Sequence, residues 1–489
     1  MPAYNGFIGP SNPLQSVIAD GERTMNFYVE HVQSPSAPAQ DMLLPTPGQR
    51  PALLVSGVGL RGSFEMNGRA FIVVGPTFYE LFSTNTVTSR GTVAQDSNPA
   101  TICSNGIPAQ LFITSGGNGY LYDLNANTLT QIAALNGKAT QGGMKDGYFL
   151  CFDVKNGVVY VSNLNDGSTW NTVTMFFSRS IAPDPWLAMV VGNPYIYMLG
   201  EQTSEAWYDA GNSPQPFAPI LSSFMQYGTP SSFASGMTGS TLTFLSRDRV
   251  GQGIVVTAAG YAPSPISTYA MQTLIQGYAR TSTIGDAELL IYQDQGHLFG
   301  VFGFPTANAT LAVDLTGGNL WCERGTWNSV AGRFDAWHPR IHLSAFGQHY
   351  VGDRSTGTIS VLDVTIGTEA DGSAISRFRI GPPLWASSHQ RIQISRFGVQ
   401  VEPGLGLAAG LGSNPLMTLQ VTQDGKTWGN QRTASAGPMG QYRKRVYWTR
   451  CGSSSKLWAP MVSVSDPIPW RLSGAEIDGA GFQQVQRAA

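Results

Sequence analysis

The sequence predicts an all-β protein: a β-propeller of six or seven blades, an extended N-terminal arm and a small C-terminal antiparallel β module. Three observations carry that reading. Charged residues make up 12% of the 489 residues, against a usual share of about 25%. Glycine (57) and proline (30) exceed their usual shares of about 7% and 5%, as many tight turns between short strands require. Short apolar runs with period-two alternation recur along the chain, with almost no helical periodicity.

Residues 1–55 are expected to form the arm and first strands. The stretch HVQSPSAPAQDMLLPTPGQRP is rich in proline, which lacks the amide donor of a central strand, so it is expected to run extended over a neighbour. Residues 56–385 are assigned to the propeller. Hairpins begin at Gly68 (GRAFIVVGPTFYELF), Ala109 (AQLFITSGGNGYLYDL), Gly147 (GYFLCFDVKNGVVYVSNL), Asn193 (NPYIYMLGEQTSEAWYD), Ser240 (STLTFLSRDRVGQGIVVTA), Ala287 (AELLIYQDQGHLFGVFGF) and Gln348 (QHYVGDRSTGTISVLD). Their starts lie 41, 38, 46, 47, 47 and 61 residues apart, close to the length of a four-stranded blade. A pair of β-sandwiches is the alternative architecture. After the Gly-rich VEPGLGLAAGLGSNP, residues 386–478 form the C-terminal module, with strands in MTLQVTQDGKTWGNQ, YRKRVYWTR, LWAPMVSVSD and PWRLSGAEID. Residues 479–489 are expected to be a flexible tail.

Several function classes lose support. With 29 Lys+Arg against 31 Asp+Glu and no long block of either sign, the chain lacks the basic excess of a general nucleic-acid binder. Cys103, Cys151, Cys322 and Cys451 are far apart, form no CxxC pair and are expected to be reduced, buried thiols. The N-terminus has no signal-peptide pattern, and no apolar run approaches the ~20 residues that span a bilayer. A soluble protein made in a cytoplasm is expected.

Four motifs bear on function. Gly57, Gly59 and Gly62 match GxGxxG, but SFEMNGRAFIVV follows instead of a phosphate-binding helix, so no nucleotide site is assigned. His338 and His342 would lie roughly 13 Å apart on a strand, too far to share a zinc ion. TQDGKTW (residues 422–428) is similar to the Asp-box of sialidase-like propellers, one residue shorter. Asp424 is expected to cap its turn and Trp428 to plug a core. Catalytic, cofactor and metal residues are therefore assigned as none.

The fourth motif, GPMGQYRKRVYWTRCG (residues 437–452), is the candidate site. Read as a strand, it places Tyr442, Val446 and Trp448 on one face and Arg443, Arg445 and Tyr447 on the other. Lys444 falls on the packed face near its start, where its stem can reach solvent. Arg443, Arg445 and Tyr447 form a candidate protein interface, with a solvated face as the alternative and duplex readout third.

The run LQVTQDGKTWGNQRTASAGPMGQYRKRVYWTRCG, with VSVSDPIPWRLSGAEID, resembles the end of the packaged-DNA stabilisation, or tail nozzle, proteins of short-tailed bacteriophages. SNPLQSVIADGERTMNFYVE (11–30), YAPSPISTYAM (261–271) and YQDQGHLFGVFGFPTANATLAVDLTGGNLWCERGTW (292–327) are similar to other segments of that family. The shortened TQDGKTW turn and Pro265 before Ile266 depart from its pattern. The resemblance implies a propeller-based virion subunit, six copies of which form a ring (nozzle) below the portal and head-to-tail adaptor. It further implies docking of tail fibres or tailspikes and a tail needle or plug. Double-stranded DNA would be retained by the ring and then pass through it without sequence-specific binding, and assembly would take place in the host bacterial cytoplasm. It implies no catalytic residues and no cofactor. A sialidase-like or glycan-binding propeller of a phage tail is the rival.

Overall fold

The computed structural model describes residues 1–483 apart from 15, 17–19, 35, 38, 107–108, 248–252 and 387–389. Seven antiparallel sheets follow one another as blades. Blades 1 to 6 begin at the inner strands Leu60–Met66, Thr101–Ser104, Gln141–Lys145, Trp186–Val191, Ser235–Thr238 and Glu288–Asp294. Blade 7 begins at Pro339–Ala345, and these inner strands contact one another in sequence around a closed ring. Each of the seven expected hairpins falls in its own blade. The turn 248–252 of the fifth lies outside the described residues.

The apolar runs are explained by burial on both faces. In Arg69–Val74, Ala70, Ile72 and Val74 pack with Leu343, Tyr350 and Ile359 of blade 7. The alternate Phe71 and Val73 pack with Leu111, Ile113 and Tyr120 of blade 2. Side chains of a strand alternate between its faces, so a blade sandwiched between two others needs an apolar residue at every position.

The ring is closed by a segment from far away in the chain. Gly48–Leu54 pairs antiparallel with Thr358–Asp363 as the outermost strand of blade 7. Pro51 is tolerated there because an outer edge leaves its missing amide unneeded. The proline-rich stretch thus departs from the expected arm. Asp41–Pro45 pairs with Phe27–His31 within the same chain, and prolines sit at strand ends or on edges rather than preventing strands.

The C-terminal strands are present, but they belong to a larger sandwich. One sheet joins Phe27–His31, Asp41–Pro45, Leu472–Ala480, Ile392–Val401 and Val446–Thr449. The facing sheet contains Arg377–Ile380, Leu457–Val464, Leu416–Thr422 and Arg432–Ser435, and continues through Gly21–Met25 into blade 6. Phe397, Trp448, Trp458 and Trp470 fill the space between, together with Tyr4 and Phe7 from the N-terminus. The Gly-rich stretch is a loop inside this sandwich. Of the expected tail, Phe482–Gln483 pairs with Leu384–Ala386, and residues 484–489 lie outside the described residues.

Among the described residues one α-helix, Tyr269–Thr281, interrupts the β pattern, with Thr268 Oγ1 accepting from Met271 N at its start. Ala270, Met271 and Ile275 pack into the cluster between blades 5 and 6. No helix among the described residues is long and apolar enough to cross a membrane.

Candidate interaction surface

The strand Val446–Thr449 is held by pairing with Ile392–Val401, with Val399 opposite Val446 and Phe397 opposite Trp448. Val446 and Trp448 are buried. The Trp448 ring stacks on Phe397 at 6.2 Å, and its Nε1 donates to Arg432 O at 2.8 Å. Alternation then turns Tyr447 outward, where it is 53% exposed.

Upstream the expected strand is absent. Gly437 and Gly440 take positive φ values of 96° and 84°, Pro438 cannot donate, and Lys444 N donates to Gln441 O at 3.3 Å. Residues 437–445 therefore form a turn, and Tyr442 is 72% exposed rather than packed beside Val446. Arg443, Lys444 and Arg445 are all exposed, and among the described residues none of them forms an ion pair within the chain. Lys444, Arg445 and Tyr447 border an open groove of about 420 Å³ with Arg396, Gln400 and Glu476. The N-terminal residues lie along the groove's edge, since Tyr4 N donates to Ala475 O and Ile477 N to Pro2 O.

Two loops extend the surface with apolar side chains. Leu407 N donates to Gly412 O, and Gly440 N to Gly404 O, which holds loop 402–415 against the turn. Leu411 and Met439 on these loops are 65% and 58% exposed. A surface that combines arginine, tyrosine and methionine has the composition of a protein contact.

The other motifs have structural explanations. Gly57 and Gly59 precede the strand Leu60–Met66, and a Cβ on Gly59 would lie 2.4 Å from Arg354 O, so this turn is the seam between blades 7 and 1. His338 is exposed, whereas His342 Nε2 lies 3.0 Å from His349 Nδ1. Burial, then the nearby His349, pushes the His342 pKa down to about 4. Asp424 Oδ1 accepts from Lys426 N and Thr427 N at 2.7 and 2.8 Å. Thr427 Oγ1 also donates to Asp424 Oδ2 at 2.6 Å, and this bond first, then the backbone ones, hold the carboxyl well below the usual range. Trp428 is half-buried against Met25, Phe378 and Ile380. The cysteines are free thiols.

Two charged clusters carry no local signature in the sequence. At one mouth of the propeller axis, a cavity of about 660 Å³ is lined by Arg61, Asp96, Glu288, Arg340 and Arg354 among others. Arg340 and Arg354 share Glu288, and Arg61 pairs with Asp96, so these three cations share two carboxylates and most of the charge is paired within the site. Between blade 6 and the sandwich, His297 contacts Asp314 through Nδ1 and Glu30 through Nε2, both at 2.6 Å.

Comparison with known proteins also divides the chain into a propeller and a sandwich, although strands Phe27–His31 and Asp41–Pro45, inside the propeller match, belong to the sandwich sheet. Residues 24–367 match the family model described as "Bacteriophage P22 Gp10, beta-propeller", and residues 377–480 match "Bacteriophage P22 Gp10, beta-sandwich". The chain belongs to the P22 Gp10 family. One relative in that family, "Tail hub protein gp10" of Salmonella phage P22, is 22% identical over 327 residues. That alignment spans 65% of this chain and 65% of the relative, just under two thirds of its length. Among solved structures, PorZ of Porphyromonas gingivalis is similar at a TM-score of 0.39 and 13% identity, over 78% of this chain and 46% of that one. The N-terminal domain of Nup159 is similar at a TM-score of 0.39 and 9% identity, over 70% of this chain and 98% of that one. At these scores neither likeness carries an argument about function.

Proposed function

We propose that the chain is a structural subunit of a bacteriophage tail, a hub or nozzle of six copies below the portal and its adaptor. The observation that carries this reading is the match of the P22 Gp10 propeller and sandwich families, in order, to residues 24–367 and 377–480. In this role the ring retains packaged DNA and becomes the conduit for its ejection, with tail fibres or tailspikes and a needle or plug docked below. The subunit belongs to the virion and is assembled in the host cytoplasm. A near-neutral chain, net −2, suits a conduit, because each phosphate gripped by Lys or Arg adds affinity that slows sliding. The role needs no catalysis, and Arg443, Arg445 and Tyr447 serve it as a protein contact. The test uses DNA-filled heads that lack this subunit, to which the purified chain is added. Heads should keep their DNA and show a ring below the portal by electron microscopy. Equal leakage with and without the chain, or its absence from purified virions by mass spectrometry, would sink the proposal.

A further inference from the structure

The two halves of the chain carry opposite charge. The propeller, residues 47–376, holds 15 Lys and Arg against 22 Asp and Glu, a net −7, whereas the sandwich, residues 1–46 with 377–483, holds 13 against 9, a net +4. Little of this imbalance is neutralised within the sandwich. Among the described residues its ion pairs are Arg379–Glu22, Arg471–Glu402 and His31–Asp41, with Arg23–Glu323 and His297–Glu30 across the junction to blade 6, while Arg391, Arg396, Lys426 and the Arg443–Arg445 run are exposed without one. The exposed Leu411, Met439, Tyr442 and Tyr447 lie in the same loops and strand as that run.

A surface of complementary character lies across the propeller. The sandwich joins the ring at blade 6, so blades 2 and 3 are diametrically opposite in a ring of seven, with blade 4 beside them. Blades 3 and 4, residues 141–219, hold seven Asp and Glu against three Lys and Arg; Asp153 and Glu205 are buried and Glu201 pairs with Arg247, which leaves Asp146, Asp166, Asp184 and Asp209 at the surface. These blades also expose apolar side chains: Leu164 at 54%, Val173 at 79%, Phe176 at 40% and Tyr208 at 41%. Leu164 is two residues from Asp166, and Tyr208 adjoins Asp209; neither acid is ion-paired among the described residues. Each patch thus combines exposed apolar area with an excess of one sign of charge.

We infer that these patches meet between copies of this chain: the cationic sandwich end of one copy docks on the acidic outer side of blades 3 and 4 of the next. Opposite potentials steer such an encounter, and the apolar side chains supply area for burial. Because the patches differ, the contact is head-to-tail, the type that generates a ring when its rotation closes. The inference rests on the tail-ring reading and names the surfaces that build the ring.

The experiment is sedimentation of the full-length chain over a concentration series at about 0.05 M and about 0.5 M salt, where screening differs strongly. The wild-type chain should associate, and less so at high salt. Arg443→Glu/Arg445→Glu and Asp166→Lys/Asp209→Lys should each weaken association by about tenfold or more. An equimolar mixture of the two should regain association, because one intact pair of patches remains and the reversed Glu and Lys patches are again opposite in charge. Asp166 and Asp209 also cap turns, so Val173→Arg, on an exposed loop, serves as a second blade variant with the same expected result. Folding of each variant is checked by circular dichroism. Wild-type association by folded Arg443→Glu/Arg445→Glu, a monomeric mixture, or a wild-type chain that is monomeric throughout would overturn the inference. So would association that appears only with added duplex DNA, which assigns the cations to phosphate. Presence of the chain in virions is a separate readout: its absence sinks the tail reading and leaves the sedimentation result as it stands.

Discussion

Replacing Arg379 by Met tests whether the N-terminus is an integral part of the sandwich. Arg379 is fully buried, and its guanidinium gathers the start of the chain around it. Nε donates to Phe7 O at 2.6 Å, Nη1 to Pro10 O and Thr24 Oγ1 at 2.9 Å each, and Nη2 to Gly6 O at 3.0 Å and to Glu22. Met keeps most of the volume but removes every donor. Glu22 then loses the guanidinium that neutralises it, and three carbonyls lose a donor. Removing one partner of a buried pair costs about 3–5 kcal/mol, more than the pair's net worth, because the remaining charge keeps its desolvation penalty. For a unit of this size the thermal midpoint should fall by about 6–20 °C. A guanidinium titration followed by tryptophan fluorescence reads the change, since Trp448, Trp458 and Trp470 lie in the affected core. Arg379→Met/Glu22→Leu should recover part of the loss, as two apolar groups need no pairing. A loss below about 1 kcal/mol in the single variant, or no recovery in the double one, refutes the reasoning.

Trp448→Ala should destabilise the sandwich by about 3–5 kcal/mol in chemical denaturation, whereas Arg443→Ser/Arg445→Ser should stay within about 0.5 kcal/mol of wild type, since those side chains pack on nothing. In virions the Ser pair should instead reduce tail incorporation and DNA retention, while normal assembly would leave those arginines merely solvated. His297 gives a pH dependence. Burial lowers its pKa, but hydrogen bonds to Asp314 and Glu30 and their charges outweigh burial and raise it above 6.5. The stabilisation is therefore complete below about pH 6.5 and is lost as pH rises through the raised value, as linkage requires. His297→Gln should cost about 1.5–3 kcal/mol at pH 6 and flatten that slope, and an unchanged slope in thermal unfolding would count against the clamp.

What the sequence discloses follows from how local the interactions are. Strands Arg69–Val74 and Thr77–Leu81 are joined by a two-residue turn, so GRAFIVVGPTFYELF contains both partners and reads as a hairpin. The ring closure is illegible for the opposite reason, because Gly48–Leu54 finds its partner some 300 residues later. Arg377 and Arg379 mislead in a different way: RFRI suggests a strand with charges outward, yet all four residues are buried, since the N-terminal carbonyls and Glu22 that satisfy Arg379 are remote in sequence. At the candidate surface, Val446, Tyr447 and Trp448 alternate as read. Tyr442 does not, because Gly437, Pro438 and Gly440 end the ladder before it, and Leu411, which shares its surface, arrives from a loop some 30 residues earlier.

The connection between the halves constrains how copies can assemble. Blade 6 does not end at Leu320–Arg324: Met25 pairs in parallel with Glu323, Gly21–Met25 pairs with Arg377–Ile380, and that strand pairs with Leu457–Val464. Arg23 reinforces the junction through Nε to Glu323 Oε1 at 2.9 Å, and Asn26 Nδ2 donates to Gly325 O at 2.7 Å and to Ser376 O at 2.9 Å. His297 adds its bridge to Glu30 on the other sheet of the sandwich. A linker would let the sandwich swing, and copies joined head-to-tail through swinging arms would give mixed chains and rings. A backbone ladder instead fixes the angle between the cationic sandwich end and the outer side of blades 3 and 4. In a heterologous assembly that angle sets the rotation from one copy to the next, and hence whether the ring closes and with how many copies. Loosening the junction, as with Asn26→Ala, should therefore broaden the distribution of assembled sizes before it abolishes association.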